Sequence, residues 1–457
     1  MSEVIQDPGL AERLRDAARR HDVPGAVLGV LAGDTTVLHA TGVINLRTGV
    51  EATSDTLFQI GSITKLLTAV MTMQCIAEGR FQLDTPVHTL LPGFTLGNAD
   101  AAMKITVRQL LCHASGIDGD FFEDTGRGDD KVERYVLAMR ALPQVHAPGA
   151  GFSYCNAGFV LLGRILELQR GGTWDDALRM HLLRPLGMKR FSTLPEHGLR
   201  YRTAIGHVRV PGDTALRVTG TPFLAMSNGP AGATPFGPAE ELLRFARFVL
   251  GGGELDGNRV LAAELLAQMW RHDENPVPQP GLAHAFGLGF MRWRHGERTV
   301  IGHDGATSGQ FAFLRIVPDA GVAIALLTNG GEAHLLFREL YAHLLPALTG
   351  LTAPAVPAPL AEPAVQSLHW QQFCGRFGRM AAGAEVSVVD GTLWLEVRQR
   401  RIAGAPAERF RLRPLDGAGA FAAEMDGREA RGSAVFLDGG AALHFAGRLY
   451  PREGKTG

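Results

Sequence analysis

Gly61-Ser62-Ile63-Thr64-Lys65-Leu66-Leu67-Thr68-Ala69-Val70-Met71-Thr72-Met73 is the stretch whose reading decides the fold of this chain. From Ser62 to Glu78 the spacing predicts a helix. Ile63, Leu66, Leu67, Val70, Met71 and Met73 make it too thickly apolar for a surface, so it belongs inside the protein. A serine opens it and a lysine follows three residues later on the same helical face, within reach of the hydroxyl. The free N–H groups and dipole of a helix start favour negative charge developing there. A buried lysine either holds a depressed pKa and acts as a base, or stays charged and lowers the pKa of a neighbouring acid. Taken alone, the pattern fits an N-capped buried helix with a snorkelling lysine nearly as well. Lysine is scarce, at positions 65, 104, 131, 189 and 455 only, so a chance Ser-x-x-Lys somewhere has odds of about one in ten.

On the N-terminal side, Pro8 to Arg20 carries an amphipathic helical pattern, and Ala26 to Leu31 and Thr36 to His39 read as strands turned at Gly33-Asp34. On the C-terminal side, Thr106-x-x-Gln109 fits a capping box, and Ala157 to Leu168 and Pro238 to Leu250 read as helices. Strand signals return at Gly287 to Trp293, Phe311 to Val317 and Val322 to Thr328, the last two joined by the turn Pro318-Asp319-Ala320-Gly321, and a helix from Glu332 to Leu345 follows. Terminal helices flanking an antiparallel sheet, with a helical insertion between its strands, predict an α/β sandwich. Pro354, Pro357, Pro359 and Pro363 among alanines then mark a semi-rigid linker. Beyond it, short β-like runs (Glu385 to Val389, Thr392 to Val397, Phe410 to Arg413, Ala434 to Leu437, Ala442 to Phe445) alternate with turns at Asp390-Gly391, Asp426-Gly427 and Asp438-Gly439-Gly440, which predicts a small antiparallel β-barrel. The expected division is residues 1–350, a linker at 351–366 and a barrel at 367–457.

With 457 residues the chain exceeds what one core usually organises. A net charge of −1 with mixed signs removes the footprint of a nucleic-acid binder or a polybasic membrane anchor. The opening MSEVIQDPGL lacks a basic segment followed by an apolar one, and no apolar run is long enough to span a bilayer, so the expectation is a cytoplasmic protein. Cys75, Cys112, Cys155 and Cys374 lack C-x-x-C spacing and the histidines lack helical ligand spacing, so neither a metal nor another cofactor is expected. The expected partner is a small molecule or peptide.

Two further clusters carry chemistry. Tyr154-Cys155-Asn156 stands before the helix at 157–168. A tyrosine beside a lysine ammonium loses its proton more easily than its usual pKa of about 10 allows and is placed to deprotonate the serine; Asn156 is placed to bond the lysine head and a substrate amide. Cys155 reads as a packing residue. His303-Asp304-Gly305 precedes the strand at 311–317. There the glycine would let a substrate lie against the backbone, the N–H groups of Ser62 and Ala306 would form an oxyanion hole, and His303 would bond the tyrosine or steer a substrate carboxylate. An ordinary turn is the bland alternative.

In order and spacing these elements resemble the S-x-x-K, Y-x-N and K-T-G or H-x-G motifs of the penicillin-recognising superfamily, in its class C β-lactamase-like branch. Leu110-Leu111-Cys112-His113-Ala114-Ser115-Gly116 is similar to the L-L-x-H-x-S-G segment common there, and the likeness runs from about Leu10 to Leu345. The resemblance implies a serine acyl hydrolase or acyltransferase with Ser62, Lys65, Tyr154, Asn156 and His303 as catalytic residues and Asp304 and Gly305 at the substrate. Histidine where β-lactamases and cell-wall peptidases have lysine points away from β-lactam hydrolysis and D-alanyl-D-alanine carboxypeptidases. It points towards D-stereospecific aminopeptidases or amidases, esterases, and penicillin-binding-protein-type thioesterases, which release and cyclise non-ribosomal peptides and carry a lipocalin-like C-terminal barrel. For that last class the substrate is a carrier-protein-bound acyl thioester. Arg448 of the barrel would then meet a substrate carboxylate or carbonyl, or lie solvated on the surface. A silent acyl-enzyme receptor is the non-enzymatic alternative. Lys455-Thr456-Gly457 spells K-T-G but ends the chain with no strand around it, and reads as a tail. No G-x-S-x-G or H-E-x-x-H occurs, and Gly251-Gly252-Gly253 reads as a loop, not a phosphate cradle.

Overall fold

The computed structural model describes residues 7–209, 215–272, 274–353, 355, 357–360, 370–400, 406–425 and 432–454. Helix α1 (Gly9–Arg20) buries Leu10, Leu14, Ala17 and Ala18 and turns its arginines outward. It leads into the hairpin of β1 (Gly25–Ala32) and β2 (Thr35–Gly42). The strands β3 (Asn275–Pro276), β4 (Ala285–Phe286), β5 (Met291–His295), β6 (Arg298–Ala306), β7 (Phe311–Val317) and β8 (Val322–Thr328) complete an antiparallel sheet of order β2-β1-β8-β7-β6-β5-β4-β3. Side-chain alternation divides the central strands between two cores. Val27, Leu31, Ala323, Ala325 and Leu327 face one, while Leu28, Val30, Val322, Ile324 and Leu326 face the other. Strands covered on both sides read as unbroken apolar runs, as these do.

The first core contains helix α2 (Thr64–Ala77), buried from Thr64 to Cys75, and α3 (Asn156–Arg170) packed against it. Helix α4 (Ala239–Leu250) covers the same side of the sheet through Leu242, Leu243 and Phe245. On the opposite side lie α1 and α5 (Ala333–Thr349), with Leu336, Leu340 and Leu344 inward. The expected capping box at Thr106 and Gln109 forms, with the Thr106 hydroxyl accepting from the Gln109 N–H and the Gln109 amide oxygen accepting from the Thr106 N–H. No helix among the described residues is long and apolar enough to cross a membrane.

The C-terminal residues form a second antiparallel sheet of eight strands: β9 (Gly375–Gly378), β10 (Ala382–Val389), β11 (Thr392–Gln399), β12 (Glu408–Pro414), β13 (Ala420–Glu424), β14 (Gly432–Leu437), β15 (Ala442–Phe445) and β16 (Arg448–Pro451). Its ends meet where Phe377 bridges to Arg452 and the Glu453 N–H donates to the Arg376 carbonyl at 2.7 Å, closing a barrel around Phe377, Leu395, Phe421, Phe436 and Leu443. Asp390-Gly391 and Ala446-Gly447 are two-residue turns with positive φ at both positions, the geometry that matches strand twist.

The α/β sandwich and the β-barrel read from the sequence are both present, with several local corrections. Ser62 lies in a single 3₁₀ turn (Gly61–Ile63), and the α-helix proper starts at Thr64. The strand expected at Gly287 to Trp293 starts only at Met291, because Gly289 takes φ 89° and its N–H turns aside to the Leu111 carbonyl. His303-Asp304-Gly305 is no turn but part of β6, whose run of small and polar residues shows no alternation. β9, β13 and β16 were not legible as strands. Residues 354, 356 and 361–366 of the expected linker, the turn at Asp426-Gly427 and Lys455-Thr456-Gly457 lie outside the described residues.

Candidate active site

The turn that carries Ser62 is held close to the end of β6. Gly61 has φ 50°, and a Cβ there would lie 2.5 Å from the Ala306 nitrogen; a Cβ on Gly305 would lie 1.9 Å from the Ile60 carbonyl oxygen. Glycine at 305 lets two backbones touch, and it also lines the cavity described below. The Thr307 N–H donates to the Gln310 carbonyl at 3.0 Å, and in an antiparallel ladder the next pair, Ala306 with Phe311, points its N–H groups outward. β5 pairs with β6 only as far as Gly302, so that outward edge faces the Ser62 turn. The structure thus brings the Ala306 and Ser62 N–H groups to one place.

Beneath Ser62 sits Lys65, 0% exposed. Its Nζ lies 2.9 Å from Ser62 Oγ, 2.8 Å from Asn156 Oδ1 and 2.6 Å from the Ala231 carbonyl oxygen. The Asn156 amide is fixed in orientation, since its Nδ2 donates at 2.9 Å to Asp120 Oδ1, which can only accept. Two of the three Lys65 neighbours are therefore pure acceptors. A neutral amine satisfies both with its two N–H bonds and turns its lone pair to the Ser62 hydroxyl. Burial, aided by the positive Arg448, drives the Lys65 pKa well below its ordinary value, and Asp120 opposes this only in part.

Tyr154 stacks on His113 at 4.2 Å between ring centroids, with its buried Oη beside Ser62. Burial raises its pKa, and the nearby Ser62 and Arg448 offset this only partly. This reverses the expectation of an easily ionised phenol, because desolvation outweighs the cations. His303 Nδ1 donates to the Asp304 carbonyl at 2.5 Å, which leaves Nε2 as a bare acceptor, buried and unpartnered. Its pKa falls to about 3, chiefly through burial, so the ring is neutral.

The weaker expectations fare differently. The Asp304 carboxylate is paired with Arg315 (2.5 and 3.1 Å), whose guanidinium stacks on Trp293 at 3.7 Å, while Asp304 also lines the cavity described below. Arg448 is not a solvated surface residue. It stands at the start of β16, grips Asp120 through Nε and Nη2 at 3.1 Å each, donates to the Ala446 carbonyl, and lies 4.8 Å from the Tyr154 ring. The same hairpin gives its Gly447 carbonyl to the Tyr154 N–H at 2.9 Å. Cys155 caps α3 by accepting from the Gly158 N–H, and burial pushes its thiol up to about 11.

Sequence reasoning missed Asp118, Asp120, Asn228, Ala231 and Arg379. Asn228 is buried; its Nδ2 donates to the Glu123 carbonyl and its Oδ1 has no partner. The only available signal was Asp118-Gly119-Asp120, one residue beyond the L-L-x-H-x-S-G segment. Ser62, Tyr154, Asn156, Asn228, His303 and Arg448 all line one cavity of about 300 Å³, walled by Leu224, Leu282, Phe286 and Met291. No group of metal-binding side chains occurs among the described residues.

The family description Beta-lactamase matches residues 10–347. The chain is similar to penicillin-binding protein 4 of Amycolatopsis lactamdurans, with 42% identity over 355 residues that cover 77% of this chain and 93% of that protein. Esterase EstB of Burkholderia gladioli is 26% identical over 352 residues, 68% of this chain and 88% of the esterase. The crystal structure of SurE superposes with a TM-score of 0.77 at 29% identity, covering 99% of this chain and 100% of SurE; the structure of SurE with D-Leu gives 0.74 at 29%, covering 97% and 98%.

Proposed function

The chain belongs to the beta-lactamase family, a superfamily of serine hydrolases, and from that premise we propose that it moves a peptide-like acyl group through an ester on Ser62. Lys65 takes the Ser62 proton, Ser62 Oγ attacks the carbonyl carbon, and the oxyanion rests between the Ser62 and Ala306 N–H groups. The leaving group departs with a proton relayed through Tyr154. Water, or an amine of the same peptide, then takes the acyl group from Ser62, and the serine recovers its proton.

The observation that carries the peptide-like reading is a pair of buried acceptors with no donor, His303 Nε2 and Asn228 Oδ1, both lining an otherwise largely apolar cavity. A substrate bearing N–H groups satisfies them; a simple ester leaves them bare, at about 1–3 kcal/mol each. Carboxylate recognition has less support, because Arg448, the only arginine or lysine lining the cavity among the described residues, is already paired with Asp120. The likeness to SurE, solved with D-Leu, supports an acyl residue of D configuration with an aliphatic side chain against Leu224, Leu282, Phe286 and Met291. Release or cyclisation of a carrier-bound non-ribosomal peptide is the form of this chemistry we favour.

Ser62→Ala is expected to abolish covalent labelling by an acyl-enzyme-forming probe, and normal labelling of that variant sinks the assignment. Peptidyl thioester mimics are the informative substrates for the finer claim. Replacing the N–H nearest the acyl carbonyl by oxygen is expected to cost roughly 5- to 150-fold in kcat/KM; equal turnover of the two, or preference for a β-lactam, overturns the peptide-like reading.

A further inference from the structure

Behind the acylating lysine lies a cluster of four charges that crosses from the barrel to the catalytic lobe. Asp118 is 1% exposed in its side chain and Arg379 only 4%. Arg379 occupies the bend between β9 and β10, and its Nη2 lies 2.7 Å from Asp120 Oδ2 and 3.4 Å from Asp118 Oδ1. The adjoining Met380 N–H donates to Asp118 Oδ2 at 2.5 Å. Arg448 supplies the second cation, and Asp120 passes the arrangement on through Asn156 to Lys65. Arg379 is absent from the cavity wall, so whatever it does to the reaction it does through other residues.

We propose that Arg379 is a positioning residue for the lysine beside Ser62: its charge balances the buried Asp118 and Asp120 pair together with Arg448, so that Asp120 keeps the Asn156 amide oxygen, not its nitrogen, turned to Lys65. The inference rests on the reading of Ser62 and Lys65 given above. A carboxylate beside Asn156 Nδ2 selects that amide orientation, and a buried carboxylate persists as an anion only when cations face it. Two arginines oppose two aspartates here, so the cluster is balanced. Removing Arg379 leaves one unmatched negative charge close to Lys65 and favours its ammonium form. The other titratable or charged groups facing Lys65 are Tyr154 and Cys155 ahead of α3, His113 from the loop after Leu111, His303 from β6, and Arg448 and Asp120. His113 and His303 are held neutral by burial, which leaves the Arg and Asp charges to decide the balance.

The test uses the full chain and a fluorophosphonate probe, with the second-order labelling rate followed against pH. Arg379→Gln is expected to move the acid limb of the profile up by about one pH unit, which makes labelling roughly tenfold slower on that limb. Arg379→Lys is expected to restore the limb, because one nitrogen at the Nη2 position serves both carboxylates. Should Arg379→Gln fail to fold, the double variant Asp118→Asn/Arg379→Gln removes one charge of each sign and is expected to retain the parent limb. A folded Arg379→Gln with an unmoved limb overturns the proposal, as does a folded lysine variant or double variant whose limb is displaced. Ser62→Ala, run alongside, separates the two claims, since its labelling would overturn the acyl-enzyme reading itself.

Discussion

Gly305→Ala probes the close approach on which the oxyanion site depends. The added Cβ would stand 1.9 Å from the Ile60 carbonyl oxygen, 2.8 Å from the Ile60 carbonyl carbon and 3.1 Å from the Ser62 nitrogen. Tolerable contacts begin near 3.0 Å, so β6 and the Ser62 turn must separate by about 1 Å, and no flexible side chain is there to yield in their place. That shift carries the Ala306 N–H away from the Ser62 N–H while leaving Lys65 and its acceptors in place. Loss of one oxyanion donor typically costs about 10²–10³ in rate, roughly 2.7–4 kcal/mol. The assay is stopped-flow acylation by an activated ester, with saturation kinetics separating the acylation rate from binding and a thermal melt confirming the fold. The expected result is a fall of that size in the acylation rate with binding little changed. A folded variant that acylates within about threefold of the parent would refute the placement of the oxyanion between Ser62 and Ala306.

Acid sensitivity follows from the buried histidines. His444 is fully buried and held near pKa 3 by desolvation, against about 6.5 in the unfolded chain, so between these values the unfolded chain binds the extra proton. Stability is therefore whole above pH 6.5 and drains as pH falls towards 3; His444→Leu should flatten that slope by about 1.4 kcal/mol per pH unit in urea titrations, and an unchanged slope would contradict the burial argument. Cys155→Ala should keep acylation within about threefold and lose about 1 kcal/mol of stability, as expected when a capping side chain is removed; loss of labelling comparable to Ser62→Ala would make the thiol part of the chemistry.

The sheet and the pairing of Ser62 with Lys65 were legible because both write local patterns. Ala26 to Leu31, Phe311 to Val317 and Val322 to Thr328 are apolar runs that only doubly covered strands need, and Ser62 with Lys65 reports a helical face in four residues. β6 escaped notice because its Gly302-His303-Asp304-Gly305 serves contacts on every side and keeps no period of two. The supports of Lys65 escaped for another reason. Ala231 acts through its carbonyl, which any residue possesses, and Arg379 and Arg448 reach Asp120 across 259 and 328 positions with nothing local to mark the pairing. The Tyr154 pKa was misjudged because the sequence names its charged neighbours but not the depth of its burial.

The seating of β1 between β2 and β8 has a consequence during synthesis. Ala26 finds its partner in Thr328, 302 positions later, and at about 5–20 residues per second a ribosome needs roughly 15–60 s to deliver it. Throughout that interval the β1–β2 hairpin presents one bare, wholly apolar edge to the cell. Until β8 is made, that edge is open to pairing with other chains. Because Lys65, Asn156, Ala231, Ala306 and Arg448 must all have emerged before the surroundings of Ser62 are complete, a half-made chain lacks the assembled cavity.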